Sequence, residues 1–270
     1  MLATTITFLT LATICLASLE HVLNPQPLPD RYPRRTIAGV QVIDTPLIRA
    51  AETFARSHAD DTVYKHVMRS WLLGTLLLDH NATLAAAVDP EVHAAAILLH
   101  DLGFDRDPDS PVVSHDRRFE IDGAVAARDF IRAHGEGKGW EERRVQLVWD
   151  AIALHTEHKI NPYKEAEVAV VASSILLDFT GPGLGVTEDE YAAVAREFPN
   201  ADLIDSVVDS LSWLCRTKPE TTYDTFMQPY GERFVEGYHP VGHRAIDGLL
   251  GQIEDSSAVF DWNWAPRGNE

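Results

Sequence analysis

The chain has 270 residues, 45% of them hydrophobic, which supplies one large or two small globular domains and excludes an intrinsically disordered chain. Lys and Arg total 23 against 41 Asp and Glu, a formal net charge of −18 with no basic stripe, so a nucleic-acid partner is excluded on electrostatic grounds. The two cysteines, Cys15 and Cys215, exclude a disulfide framework.

In chain order, Met1 to Leu19 carries no charged side chain, and Cys15-Leu16-Ala17 has the small-x-small pattern of a cleavage site. Residues 1–19 are therefore read as a signal peptide and the protein as secreted, with no membrane contact once the leader is removed. The alternatives are a membrane anchor formed by residues 1–19 or a packed helix of a cytoplasmic protein. Residues 20–44 form a linker and N-terminal extension that includes the Pro-rich run Asn24 to Pro29. Export would expose Asn81-Ala82-Thr83 as a glycosylation sequon.

From residue 45 on, every segment with a readable period is helical. Thr45-Pro46 predicts a cap with Pro at the first helical position, followed by an apolar face of Leu47, Ile48, Ala51, Phe54 and Ala55. A second helix runs from about Asp61 to Asp79, and Asp89-Pro90-Glu91 repeats the cap-plus-Pro start of a third that Gly103 closes. Three more are expected near Asp116 to Ala133, Glu141 to Thr156 and Tyr163 to Phe179. The glycines from Gly181 to Gly185 form a loop, Thr187-Glu188-Asp189-Glu190 has the capping-box pattern, and Asn200 and Pro240 mark two later starts. No sustained alternation predicts a sheet, Gln41-Val42-Ile43 being too short. The expected architecture is all-α, a single helical domain over 45–255, with a C-terminal tail over 256–270.

The chemistry concentrates at His100-Asp101, an imidazole and a carboxylate placed after the apolar run Ala94 to Leu99. Burying that carboxylate without a partner is costly, and a divalent cation would remove the cost. His66 and Asp178 are the other polar residues on or beside apolar helical stretches; Asp178 follows Ile175-Leu176-Leu177, where a carboxylate is rarely buried alone. His66, His100, Asp101 and Asp178 are the candidate metal ligands. Asp101, Glu120 and His155 are the candidates for proton transfer beside the metal. His155 also reads as a hydrogen-bonded core histidine, Glu120 as a partner of Arg117 or Arg69, and His93 as a supporting or surface residue.

The order His66, His100-Asp101, Asp178, all on helices, resembles the HD-domain superfamily of metal-dependent enzymes over roughly Thr45 to Phe179. The resemblance implies a helical bundle of the HD type in which these four residues hold the metal. His66-x-x-Arg69 followed by Trp71, Phe119-Glu120 before Gly123-Ala124, and Leu176-Leu177-Asp178 before a Gly-containing loop are similar to the cyanamide hydratase branch. Phe179 and Lys65 depart from it, standing where that branch is expected to carry Asn. Di-iron members place a His ahead of a Glu-x-x-Gly-Ala pattern where this chain has Phe119, which implies one divalent metal ion unless His115 or His155 restores a second site. The resemblance points to Zn first, and two His with two Asp also suit Fe or Mn.

Three functions follow. The first is hydration or hydrolysis of a small-molecule substrate, cyanamide hydratase-like, in which the metal activates water. The second is a phosphohydrolase acting on a nucleotide or phosphoester, which needs cations at the pocket; Arg69, Arg117 and Arg118 are the available ones. The third is a non-catalytic protein with a structural metal and no open coordination position.

Overall fold

A computed structural model describes residues 32–135 and 139–260. The expected signal peptide and most of the tail lie outside them. The chain groups into two compact units, divided between Ser206 and Val207 inside a helix.

The first unit opens with a small hairpin that the sequence reading leaves out. Strands β1 (Arg34–Ile37) and β2 (Val40–Ile43) pair antiparallel, with Arg34 opposite Ile43 and Ile37 opposite Val40. Ala38 and Gly39 form the two-residue loop at φ 49° and 83°, the left-handed conformations that a type I′ turn requires. Val40 and Val42 face the core while Gln41 faces out, an alternation only three residues long and below what a period count detects.

The helices follow largely where the caps place them. They are α1 (Pro46–Ser57), α2 (Asp61–Asp79), α3 (Ala82–Ala87), α4 (Pro90–Leu99), α5 (Phe119–Gly135), α6 (Glu142–Leu154), α7 (Ala166–Thr180) and α8 (Glu188–Glu197). Thr45 Oγ1 accepts from Ile48 N at 3.3 Å, Asp60 Oδ1 from Thr62 N and Val63 N at 2.9 Å, and Thr187 with Glu190 closes a complete capping box. Helix α4 has no polar face: Glu91 to Leu99 are all buried, so it must be surrounded. It packs against α1, α2, α6 and α7, and its end is where the His-Asp pair emerges.

Gly103 does not close α4 as expected. The helix ends at Leu99, and a 3-10 turn covers Leu102–Phe104. Gly103 is there because a Cβ on it would meet the Phe119 carbonyl oxygen at 2.1 Å and its Cα at 2.8 Å. This close approach presses the segment after Asp101 onto the start of α5.

Helix α9 (Leu203–Thr217) carries the boundary, and the second unit continues with α10 (Gln228–Phe234) and α11 (Ala245–Phe260). Within it Tyr238 shares a hydrogen bond with Thr222 at 2.7 Å and covers Gly231, where a Cβ would lie 2.5 Å from the ring. Among the described residues no helix is long and apolar enough to cross a membrane.

Candidate metal centre

Helix ends and one buried helix face bring the site together. His66 lies on the inner face of α2, with Arg69 one turn further on the same face. His100 is the first residue beyond α4, Asp101 follows it, and His155 is the first residue beyond α6. Asp178 lies in the last turn of α7. All six side chains are buried.

His66, His100 and Asp101 each offer a ligand atom, and the three atoms lie within 4.8 Å of one another. The imidazole protons can be placed from their partners. His100 Nδ1 donates to the Ile97 carbonyl at 2.7 Å and His66 Nδ1 to Asp178 Oδ2 at 2.7 Å, since a carbonyl or carboxylate can only accept. Nδ1 of each ring is thus committed, and Nε2 is the atom left to face Asp101. His100 Nε2 lies 3.1 Å from Asp101 Oδ2, and His66 Nε2 lies 3.8 Å from the same oxygen.

His100 Nε2 is buried and has no hydrogen-bond partner, although Asp101 Oδ2 lies 3.1 Å away. An imidazole nitrogen and a carboxylate oxygen thus lie at contact distance without a hydrogen bond between them. The donor set, two imidazoles and a carboxylate aimed at common space, fits a divalent metal ion. The electrostatics agree. Burial opposes ionisation of Asp101, but the imidazole of His100 beside it, then those of His66 and His155, outweigh it and hold the carboxyl at about 2. Burial likewise opposes a charge on His100, and Asp101 overrides it to raise the imidazole. The pair attracts a positive charge.

Asp178, expected as the fourth ligand, lies at the Nδ1 edge of His66, outside the three-residue cluster. Its Oδ1 accepts from Arg69 Nε at 2.7 Å and its Oδ2 from Arg69 Nη2 at 2.8 Å, in addition to His66. Burial pushes this carboxyl up, and the hydrogen bonds from His66 and Arg69 more than reverse the effect.

His155 repeats the arrangement of His100. Its Nδ1 donates to the Ile152 carbonyl at 2.7 Å, and its ring lies edge-on to His100 at 5.0 Å. Burial first, then the charge of His100, depress it to about 4, so it is neutral at physiological pH. It is a hydrogen-bonded core histidine whose ring lies beside the cluster. The matching runs Ile97-Leu98-Leu99-His100 and Ile152-Ala153-Leu154-His155 were the available signal for this pairing.

Glu120 is fully buried but engaged: it accepts from Arg118 Nη2 at 2.5 Å and from Thr156 Oγ1 at 2.6 Å. Its partner is thus Arg118, where the sequence reading weighs Arg117 and Arg69. Phe119 puts a ring against His155 at 5.7 Å and stacks on Phe104 at 4.3 Å, while Phe179 covers His66 at 5.0 Å. His115, considered for a second metal, is exposed, and His93 is buried against Ser174 at 3.2 Å.

The comparison with known families agrees with this geometry. The HD domain profile matches residues 63–212, more than half of the chain. The chain belongs to the HD domain family. The HD match begins in α2 just before His66 and contains every residue of the centre. Members of this family are mostly metal-dependent hydrolases and bind divalent metals, and the His66, His100, Asp101 cluster lies within the matched residues. No curated protein matches the chain.

Proposed function

We propose that this HD-domain protein is a metal-dependent enzyme that uses one divalent ion, zinc first, at His66, His100 and Asp101, with Asp178 as the fourth ligand, to add water to a small uncharged molecule. Hydration of a nitrile-like group, as in cyanamide hydration, is the leading case. When bound, the ion would supply Lewis acidity for the activation of water. The observation that carries the reading is the buried, unpartnered Nε2 of His100 facing Asp101 Oδ2. Two imidazoles and two carboxylates, with Asp178 as the fourth ligand, suit a divalent ion that keeps positions open for water and substrate, which favours catalysis over a purely structural metal.

The protein's own groups have distinct parts in this reading. His66 and His100 hold their Nε2 atoms inward because their Nδ1 atoms are tied to Asp178 and Ile97. Neutral His155, with Asp101, accepts the proton released by water. Glu120 acts through Arg118 and Thr156, fixing the segment next to His155. Phe104, Phe119 and Phe179 give the surroundings an apolar character that suits a small neutral substrate.

A phosphohydrolase is the second reading, because phosphohydrolase-type activity is what HD membership suggests. The guanidinium groups available for phosphate count against it. Arg69 is bound to Asp178, Arg117 Nε to Asp122 at 2.9 Å, and Arg118 to Glu120 and to Glu157 at 2.8 Å. Freeing one would strand a buried carboxylate.

Metal content and turnover of cyanamide and of a phosphomonoester and phosphodiester panel, measured for wild type and Asp101→Ala, test the proposal. Zinc at one per chain, with cyanamide turnover lost in Asp101→Ala, is the expected result. Turnover confined to phosphoesters supports the second reading, and absence of metal from wild type sinks the site. Export of the protein is a separate proposal, removed if the mature protein begins at Met1.

A further inference from the structure

We infer that Phe179 is the specificity-determining residue of this site and that it selects substrates carrying a flat apolar group, such as an aryl-substituted cyanamide or nitrile. The inference rests on the hydration reading above and narrows its substrate class. Phe179 follows Asp178 in the last turn of α7, and its ring lies 5.0 Å from that of His66. Four further ring contacts continue from there: His66 to His100 at 5.3 Å, His100 to His155 at 5.0 Å, His155 to Phe119 at 5.7 Å and Phe119 to Phe104 at 4.3 Å. Three imidazoles thus stand between phenyl rings.

The two flanks of this arc differ in what they offer a ligand. Phe119 is 2% exposed, stacked on Phe104 and set against His155, so its surface is already taken by the protein. Phe179 is 39% exposed beside a His66 that is itself buried, which leaves it ring surface that the protein does not cover. Single exposed phenyl groups are common on protein surfaces; this one touches a residue of the metal centre. Ring surface at that place suits a second flat group, because aromatic pairs gain beyond the area they bury.

Phe179 is also held in place. Tyr191 donates from its hydroxyl to the Asp178 backbone carbonyl at 3.2 Å and accepts from Asn200 Nδ2 at 3.3 Å, and the Gly181 N–H donates to the Leu177 carbonyl at 3.1 Å. A ring on a tethered helix end presents the same surface before a ligand arrives, so little freedom is lost on binding. A phenyl that only shielded His66 from water would affect every ligand of the site alike. One that receives a substituent separates ligands that have it from ligands that do not.

The test uses the full chain with zinc present and four probes that it cannot turn over. Urea and phenylurea are the hydration products of cyanamide and phenylcyanamide, and methylphosphonate and phenylphosphonate stand for phosphoesters. Their dissociation constants are read by ligand-observed NMR. Wild type should bind phenylurea more tightly than urea, and Phe179→Ala should cut that preference about three- to tenfold while urea affinity stays within about twofold. Phe179→Tyr should keep the preference, as should Phe234→Ala, which removes an exposed phenyl in the second unit. Should Phe179→Ala not fold, Phe179→Leu takes its place, since it keeps apolar volume without a flat face. A preference unchanged in the variant, or an equal loss for both ureas, overturns the inference. Binding of the phosphonates alone overturns the hydration reading instead; the phenylphosphonate preference then decides the role of Phe179, upheld if Phe179→Ala removes it and refuted if not. Binding of none of the four overturns both.

Discussion

His100 turns its Nε2 to Asp101 Oδ2 at 3.1 Å without bonding it, because its own proton is committed through Nδ1 to the Ile97 carbonyl at 2.7 Å. A ring held this way cannot rotate to donate to Asp101 unless α4 loses a contact at its last turn. A divalent cation between these two atoms would give each a bonding partner, and metal binding should therefore stabilise the fold. At a metal concentration one hundred times the Kd the gain is about 2.7 kcal/mol. Asp101→Ala should melt at nearly the same temperature with and without zinc, whereas wild type should show a clear zinc-dependent rise by calorimetry. An equal rise in both proteins would locate zinc binding elsewhere.

Gly103 controls how the residues after Asp101 meet α5. A Cβ at this position would overlap backbone atoms of Phe119, which cannot move aside as a flexible side chain can. Gly103→Ala is expected to cost about 1–3 kcal/mol, as overpacked cores do. The strain falls two residues from Asp101, so zinc affinity should drop along with the urea midpoint. An alanine variant with wild-type stability would mean that the two segments separate freely.

His93 sets an acid limit on stability. It is buried in the interior of α4 against Ser174, and desolvation depresses it to about 3 from its ordinary 6.5. The unfolded chain thus takes up a proton at this position between those values while the folded chain does not. Its contribution is intact above about pH 6.5 and falls as pH drops toward 3, by up to about 1.4 kcal/mol per unit. Urea titrations of wild type and His93→Gln between pH 7 and 4.5 should give a shallower pH dependence for the variant. Parallel curves would show that His93 does not bear the linkage.

Local chemistry made much of this legible in the sequence. Thr45, Asp89 and Thr187 announce helices because capping is a short-range bond, and His66, His100 and Asp101 stand out because polar residues in apolar runs need partners. What escaped depends on side-chain direction. Asp178 is beside His66 as expected, but which edge of the ring it meets is set by the fork of Arg69, a contact over 109 residues. Glu120 takes Arg118 because α5 begins at Phe119, leaving Arg118 before the helix and free of its spacing rules. The hairpin over Arg34–Ile43 was hidden by strands of only four residues, although Ala38-Gly39 carried a turn signal.

Arg144 joins three helix beginnings, and its loss should be felt across the first unit. Its Nη2 donates to Glu91 Oε2 at 2.8 Å and its Nε to Asp89 Oδ2 at 2.9 Å, while the Trp140 ring covers the guanidinium at 4.1 Å. The other oxygen of Glu91 accepts from Thr45 Oγ1 at 2.6 Å, so the starts of α1, α4 and α6 share one buried network. Arg144→Met leaves the Glu91 carboxylate buried with only a hydroxyl, a loss of about 3 kcal/mol. Adding Glu91→Leu removes the stranded charge and should restore a large part of that loss, because an apolar pair of similar size needs no compensation. Chemical denaturation of the two single variants and the double decides the matter: strictly additive losses would show that the network does not act as a unit.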